Sequence, residues 1–193
     1  MARTPVGAPM RARILDASEK AFSEADFHSV QVETVASLAG VGKGTIYRYF
    51  RDKGALYVDT LTRAMGRVVS QMEEKAQSNG EPEARLRAAL RALAEFFERD
   101  RGLLESMMRG QLALKEEDRR KLKEQGDRMN ALLRSVVEEG ISRSCFRGVN
   151  PALAAWVLRG ACVVTMMQGP QEGSTVGAVE EICDIVLSGL RSH

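Results

Sequence analysis

Apolar residues recur every three or four positions along most of the chain, which is the spacing of helices that bury one face. Residues 11–25 carry Ile14, Ala17 and Phe22 on one side, and residues 32–39 repeat the pattern. A short segment through 46–50 follows the interruption at Ala39-Gly40-Val41. Runs of β-branched residues that alternate with a period of two are missing. The pattern therefore predicts an all-α fold of about nine helices.

Capping residues and glycine or proline breaks predict where the later helices begin and end. Asp52 is a good N-cap for a helix of about 25 residues. This helix ends before Ser78-Asn79-Gly80, and Glu81-Pro82 opens the next one. Two further helices are predicted over 101–114 and 116–143. Asn150-Pro151 caps a helix that runs to Met167, and a last helix begins at about Thr175.

Two C-terminal segments, 151–168 and 175–190, hold more apolar surface than a one-sided stripe needs. The first is shorter than about 20 apolar residues and carries Arg159 near its middle, so it is predicted to be a buried helix and not a membrane span. Paired across a two-fold axis, the two helices would form a four-helix interface. The residues predicted to line this homodimer interface are Trp156, Val163, Met167, Val179, Ile182 and Val186.

Charge changes the picture only locally. The 193 residues include 28 Lys and Arg against 26 Asp and Glu, a net charge of +2 that predicts no general attraction to nucleic acid or anionic lipid. Between residues 41 and 53, however, four basic residues face a single acid, Asp52. The alternating charges from Lys115 to Arg128 are interpreted as a solvated helix face without function. No apolar run follows the N-terminal arginines, so a cytoplasmic protein is expected.

Residue types that carry chemistry are few. Cys145, Cys162 and Cys183 are 17 and 21 residues apart, and the chain has only two histidines, His28 and His193. A structural zinc site needs four clustered ligands, so reduced, buried thiols are expected. The sequence also lacks a histidine-centred constellation and a Gly-x-Ser-x-Gly motif. We therefore predict no catalytic residues, no metal and no cofactor.

The segment 26–57 has the spacing of a helix-turn-helix, with two short helices joined by a tight turn at Gly40. The apolar residues expected to lock the two helices together are Val35, Ala36, Val41, Ile46 and Phe50. Backbone N–H groups around residues 42–45 and the outward side chains of the second helix suit phosphate oxygens and base edges. Those outward side chains are Lys43, Thr45, Tyr47, Arg48 and Tyr49, followed by Arg51 and Lys53.

This segment resembles the DNA-binding domain of the TetR/AcrR family of bacterial transcriptional regulators. The resemblance rests on Val32, Val35, Ala36, Ala39-Gly40-Val41, the run from Lys43 to Phe50, and Asp52-Lys53 with Leu56. It implies that DNA is contacted by Thr34, Lys43, Gly44, Thr45, Tyr47, Arg48, Tyr49 and Lys53. Asp26, Gln31 and Gly42 depart from the family pattern, which weakens helix caps and removes hydroxyls at 31 and 42.

The resemblance also implies a domain division and a ligand. We expect a flexible arm over residues 1–10, a DNA-binding domain over 11–57 and a helical ligand-binding and dimerisation domain over 58–193. Large, adaptable apolar side chains in the last domain suit a ligand cavity, although at helical spacing each is also a plausible core residue. The candidate pocket residues are Phe96, Phe97, Met107, Met108, Gln111, Met129, Trp156 and Met166.

The function predicted from these features is that of a homodimeric, sequence-specific DNA-binding regulator. It would act as a repressor released from a palindromic double-stranded operator by a small, largely apolar inducer. Two alternatives stay open. One is a helical ligand carrier or enzyme that uses the C-terminal cavity directly, and the other is a DNA-binding regulator that activates transcription or needs no ligand.

Overall fold

The computed structural model describes residues 8–108, 114–168 and 174–191, and this part of the chain is almost entirely helical, as predicted. An isolated antiparallel bridge between Phe146 and Arg191 is its one β-type pairing. The nine helices of the described part are α1 (Ala8–Glu24), α2 (Val32–Leu38), α3 (Lys43–Tyr49), α4 (Lys53–Ala76), α5 (Pro82–Arg99), α6 (Arg101–Met108), α7 (Glu116–Ser142), α8 (Pro151–Gln168) and α9 (Thr175–Ser188).

The helix boundaries follow the local signals in the sequence. The Asp52 carboxylate accepts a hydrogen bond from the Ala55 N–H at 2.7 Å, so it caps α4 as predicted. Asn150 does the same for α8 through the Leu153 N–H at 3.1 Å, which confirms the second predicted cap. Gln31 and Gly42, the N-cap residues of α2 and α3, make no side-chain capping bond.

The chain folds into two compact units. The first contains residues up to Ala64 together with Asp100–Leu122, and the second contains Met65–Arg99 together with residues from Lys123 onward. The predicted DNA-binding domain, 11–57, lies within the first unit, which also includes α6 and the first turns of α7. Helix α1 begins at Ala8, so residues 8–10 of the predicted arm are helical, and residues 1–7 lie outside the described part.

In the first unit, α1 packs against α2 and α6, and α2 packs against α3. Phe22 and Tyr57 are buried and meet edge to face, with ring centroids 4.9 Å apart. The Tyr57 hydroxyl donates a hydrogen bond to the Leu103 carbonyl of α6 at 2.5 Å. A Cβ at Gly102 would lie 2.3 Å from the Ser23 carbonyl oxygen, so glycine allows α6 to approach the end of α1 closely.

In the second unit, α5, α8 and α9 pack on one another around buried leucines and alanines. Cys162 and Cys183 are buried free thiols, as expected, whereas Cys145 is only half-buried. Helix α8 has the length and hydropathy of a membrane span, and among the described residues it is the one helix that passes this test. Its buried side includes Leu158, Cys162 and Met166. Its other side is not buried within this subunit, because Trp156 is 66% exposed there.

Candidate nucleic-acid interface

Helices α2 and α3 form the predicted helix-turn-helix, and the turn depends on Gly40. Gly40 has a φ of +62°, a left-handed conformation that glycine adopts without strain. The turn is closed by the Val41 N–H, which donates to the Ala36 carbonyl at 2.9 Å. The Arg13 side chain of α1 also donates to the Gly40 carbonyl at 3.3 Å. The direction of α3 is thus fixed by backbone and side-chain hydrogen bonds at one turn.

The predicted apolar lock between the two helices is present. Val35, Ala36, Ile46 and Phe50 are all buried, and Val41 is half-buried. Because α3 contributes only Ile46 to the core from within its seven residues, its remaining side chains are available to face outward. This arrangement presents a short polar helix on a rigid apolar support, which is the geometry of a recognition helix.

The outward surface of α3 carries the predicted DNA-contacting residues. Tyr47 is 44% exposed, and Arg48 is exposed without an ion-pair or hydrogen-bond partner among the described residues. Thr45 and Tyr49 are partly exposed. No heavy atom lies within 4 Å of a Cβ built at Gly44, so a phosphate has room to approach that backbone. Thr34 of α2 is exposed as well.

Lys43, the first residue of α3, is held by an acid on α2. Its Nζ lies 2.5 Å from Oε1 of Glu33 and 5.9 Å from the centre of the Tyr47 ring. The hydrogen bond to Glu33 raises the pKa of Lys43, and the same bond lowers the pKa of Glu33. Lys43 therefore stays charged, but part of its charge is compensated within the protein.

Lys53, at the start of α4, has a different environment. Its Nζ donates to the His28 carbonyl at 3.2 Å and lies 4.6 Å from the centre of the Phe27 ring. Burial lowers the pKa of this lysine, and no carboxylate pairs with it in the described residues. The negative charge of Asp26 acts in the opposite direction on this pKa. Lys53 is thus held against the segment between α1 and α2 without a carboxylate at ion-pair distance, which suits a phosphate contact.

Arg51 is the basic residue whose surroundings the sequence did not reveal. Its guanidinium contacts carboxylates of Asp52, Glu117 and Asp118, and the last two belong to α7, more than 60 residues away in the chain. Lys115 pairs with Asp52 at 2.9 Å. The first part of the charge run 115–128 is therefore not merely solvated, because it forms ion pairs with the residues that follow α3.

The candidate ligand-pocket residues have mixed environments and do not all belong to the second unit. Phe96, Met129 and Met166 are buried, Phe97 is partly exposed and Trp156 is largely exposed. The side chains of Met107 and Met108, and the whole of Gln111, lie outside the described residues. Trp156 lines an open pocket of about 210 Å³ together with Asp127, Asn130, Ala131, Arg134 and Ala152.

The candidate dimer residues also divide. Trp156 and Met167 are exposed, and Val163, Ile182 and Val186 are partly exposed. Val179 is only 1% exposed and packs inside its own unit, so its side chain is not on the surface. The large apolar side chains that the periodicity missed on this surface are Leu153, Val157, Val164 and Ile185.

Comparison with known proteins finds two matching family models. Residues 14–60 match the model of bacterial regulatory proteins of the tetR family. Residues 79–168 match the model of the tetracyclin repressor-like C-terminal domain. The first match contains the helix-turn-helix described above, and the second lies entirely outside it.

Individual relatives agree with these models. The fatty acid metabolism regulator protein of Bacillus subtilis is 25% identical over 191 residues, which cover 95% of this chain and 97% of the relative. The transcriptional repressor KstR of Mycolicibacterium smegmatis is 36% identical over 99 residues, 51% of this chain and 48% of the relative. The structure of FadR from Bacillus subtilis in complex with stearoyl-CoA has a TM-score of 0.76 at 24% identity, covering 93% of this chain and 99% of that one.

Proposed function

Because the chain belongs to the TetR family of bacterial regulatory proteins, we propose that this DNA-binding transcriptional regulator is a homodimeric repressor that a small, largely apolar ligand releases from its operator. One observation carries the DNA-binding part of the proposal. The exposed side of α3 presents Tyr47 and Arg48, an arginine with no partner in the described part of the chain, on a helix fixed by the Gly40 turn. Such a surface is suited to a major groove.

The roles within this surface follow from their environments. Arg48 has five free donors, so it suits guanine O6 and N7 or a phosphate. Tyr47 offers a phenol to phosphate or a ring to a thymine methyl group, and Thr45 and Tyr49 flank it. Lys53 and Thr34 suit phosphates on either side of the groove. Lys43 has to leave Glu33 before it binds a phosphate fully.

The proposal of a dimer rests on the exposed apolar surface of α8 and α9. Contiguous exposed apolar patches of this kind are rare on monomeric soluble proteins and mark interaction sites. In a dimer with a two-fold axis, the patch of one subunit would pack against the same patch of the other. The dimer would present two copies of the recognition helix α3 to a palindromic operator. The exposed apolar side chains are Leu153, Trp156, Val157, Val164, Met167 and Ile185.

The ligand we propose is an acyl chain carried by coenzyme A. The support is the similarity, over nearly the whole chain, to a regulator of fatty acid metabolism. Stearoyl-CoA, the molecule bound to FadR from Bacillus subtilis, is therefore the first probe. A ligand that lowers operator affinity 100-fold must favour the non-binding arrangement by about 2.7 kcal/mol, which is within reach of a few apolar contacts.

The proposal assigns no catalytic activity to the chain, because its relatives are transcriptional regulators. It also assigns a cytoplasmic location, where the protein meets chromosomal DNA. A ligand carrier or enzyme would show turnover or tight ligand binding without any DNA binding. A ligand-independent regulator would bind the operator equally well with and without ligand.

The experiment begins with selection of bound duplexes from a random pool by the wild-type protein. The recovered duplex is then titrated by fluorescence anisotropy with wild type, Tyr47→Ala, Arg48→Ala and the control Arg128→Ala, an exposed arginine on α7. We expect both α3 variants to lose affinity by at least about tenfold, as removal of a good base or phosphate contact does. The control should bind normally. Failure of the wild type to select any sequence would refute the DNA-binding function.

The ligand is tested with the same duplex. Stearoyl-CoA, free stearate and coenzyme A alone are added in parallel, so that the acyl chain and the nucleotide are separated. Release of the duplex by stearoyl-CoA, and by neither free stearate nor coenzyme A, supports the proposed ligand. Tighter binding in its presence would show that the ligand promotes operator binding and would contradict release by the ligand. No response to any of the three would refute the acyl-CoA proposal and leave the DNA function standing.

A further inference from the structure

Asp118 stands outside the helix-turn-helix in sequence, yet its carboxylate is bound to the guanidinium of Arg51. Arg51 lies between the recognition helix and α4, two residues before Lys53. Its charge is surrounded by acids, with Glu117 at 3.1 Å and Asp52 at 3.3 Å in addition to Asp118. Only about a third of its side chain is exposed.

The pairing is one of several ion pairs that join residues 115–121 to residues 51–59 within the first unit. Lys115 pairs with Asp52 at 2.9 Å, and Lys121 pairs with Asp59 at 2.8 Å. Four charged residues of 115–121 thus pair with residues of opposite charge on the segment 51–59: Lys115, Glu117, Asp118 and Lys121. An arrangement of several matched pairs holds its geometry better than an isolated exposed pair does.

Asp118 is the buried member of this set. Its side chain is 4% exposed, and its Oδ1 atom has no hydrogen-bond partner in the described residues. If Arg51 turned away, this carboxylate would remain buried without a compensating cation, which is strongly unfavourable. This cost favours the pairing of Arg51 with Asp118 of α7 over a contact with DNA phosphate.

A cation held this way contributes little to DNA binding. Affinity for duplex DNA of any sequence comes from cations that contact phosphates and release counterions. Arg51 is already paired with carboxylates, so it does not contact phosphates and releases no counterions from the DNA. We propose that Asp118 is a positioning residue that withholds Arg51 from the phosphate backbone and so limits the affinity of the protein for DNA.

This inference rests on the DNA-binding function and adds a residue of α7 to it. The practical consequence is that the segment 115–121 sets how strongly the helix-turn-helix domain binds DNA irrespective of its sequence. Asp118 thus limits sequence-independent affinity through a cation that it keeps away from phosphate.

The test measures the salt dependence of binding to a 30-base-pair duplex of random sequence. Asp118→Asn keeps the shape of the side chain and removes its charge. We expect the slope of log K against log salt concentration to steepen by about 0.9 for each Arg51 that gains a phosphate. For each such contact, the affinity should rise by up to about 15-fold at 50 mM salt and about fourfold at 200 mM.

Two further variants separate this role from general charge effects. Glu116→Gln makes the same change of charge two residues away, where the acid pairs only with Arg119 in the described part of the chain. It should leave the slope unchanged. In the double variant Arg51→Gln with Asp118→Asn, the cation is absent, so the slope should return to the wild-type value.

Since Asp118 is buried, Glu117→Gln provides a second route if Asp118→Asn does not fold, because Glu117 is exposed and contacts the same guanidinium. It should steepen the slope in the same direction but by less than Asp118→Asn, because Asp118 still pairs with Arg51. An unchanged slope in the folded variants, or a steeper slope that persists without Arg51, would overturn the proposal. Absence of any salt-dependent binding by the wild type would instead refute the DNA-binding function itself.

Discussion

The ammonium group of Lys43 and the carboxylate of Glu33 are 2.5 Å apart, so the first residue of α3 is ion-paired to the first turn of α2. Both side chains are about half exposed. The pair therefore lies on the surface that carries Tyr47 and Arg48, and its carboxylate is the one acid within residues 31–50. A phosphate that binds Lys43 must compete with this acid.

The first prediction is that Glu33→Gln strengthens DNA binding. An exposed ion pair is worth about 0.2–1 kcal/mol, so freeing Lys43 should raise affinity for the selected duplex by at most about fivefold. Anisotropy titration at low salt measures the change. In the Lys43→Met background the gain should vanish, and Glu24→Gln, which removes an exposed acid of α1, serves as the control of equal charge. A gain that survives without Lys43 contradicts the assignment.

The second prediction concerns Gly102, where α6 meets the end of α1. A Cβ at this position would lie 2.3 Å from the Ser23 carbonyl oxygen, a backbone atom that cannot move alone. Gly102→Ala should therefore lower the free energy of unfolding by about 1–3 kcal/mol, as measured by urea denaturation. Gly126→Ala on α7 is the matched control, because no atom lies within 4 Å of its Cβ.

The control should change stability in the opposite direction. Replacing a helical glycine by alanine stabilises by about 0.5–1 kcal/mol where space is free. If Gly102→Ala were as stable as Gly126→Ala, the close approach of α6 to α1 would be incorrect. Circular dichroism confirms that both variants are helical before their stabilities are compared.

Helix positions were predictable because their signals are local. Asp52 and Asn150 cap the helices they were expected to cap, and the spacing of apolar residues gave the order of elements. The outward residues of α3 followed from the same periodicity. Each of these inferences uses residues within one or two turns of one another.

The ion pairs of residues 41–53 depend on residues outside this segment and were not predictable from its sequence. Counting charges between 41 and 53 treated all four cations as free, whereas the fold pairs Lys43 with Glu33 and Arg51 with Asp118. Arg51 and Asp118 are 67 positions apart, and no local pattern joins them. The near-uniform apolar character of α8 likewise did not distinguish its buried Met166 from its exposed Trp156.

The third prediction concerns acid stability in the second unit. The Arg191 guanidinium donates to Glu83 at 2.7 Å and Arg87 donates to it at 3.1 Å, which lowers the pKa of Glu83 from 4.5 to about 2. A depressed carboxyl pKa stabilises the fold above the unfolded value, and this contribution is lost as pH falls from about 5 towards 2.

Glu83→Gln should remove this dependence. After allowance for solvent screening, the wild type should lose about 1–2 kcal/mol more than the variant between pH 5 and pH 2.5, as measured by urea denaturation at each pH. Glu181→Gln replaces an exposed acid of α9 and should behave like the wild type. Parallel pH profiles for wild type and Glu83→Gln would show that the pair with Arg191 does not form in solution.

The fourth prediction tests the proposed dimer. Trp156 and Ile185 are 66% and 67% exposed on α8 and α9, so a buried carboxylate at either position would face apolar surface across the proposed two-fold interface. Trp156→Glu and Ile185→Glu should each be monomeric at micromolar concentration in sedimentation velocity, while the wild type sediments as a dimer. Leu38→Glu changes an exposed leucine of α2 in the same way and should remain dimeric. Because both positions are exposed within one subunit, each monomeric variant should keep its helical content, and a variant that instead unfolds would place that side chain in the core and not on an interface.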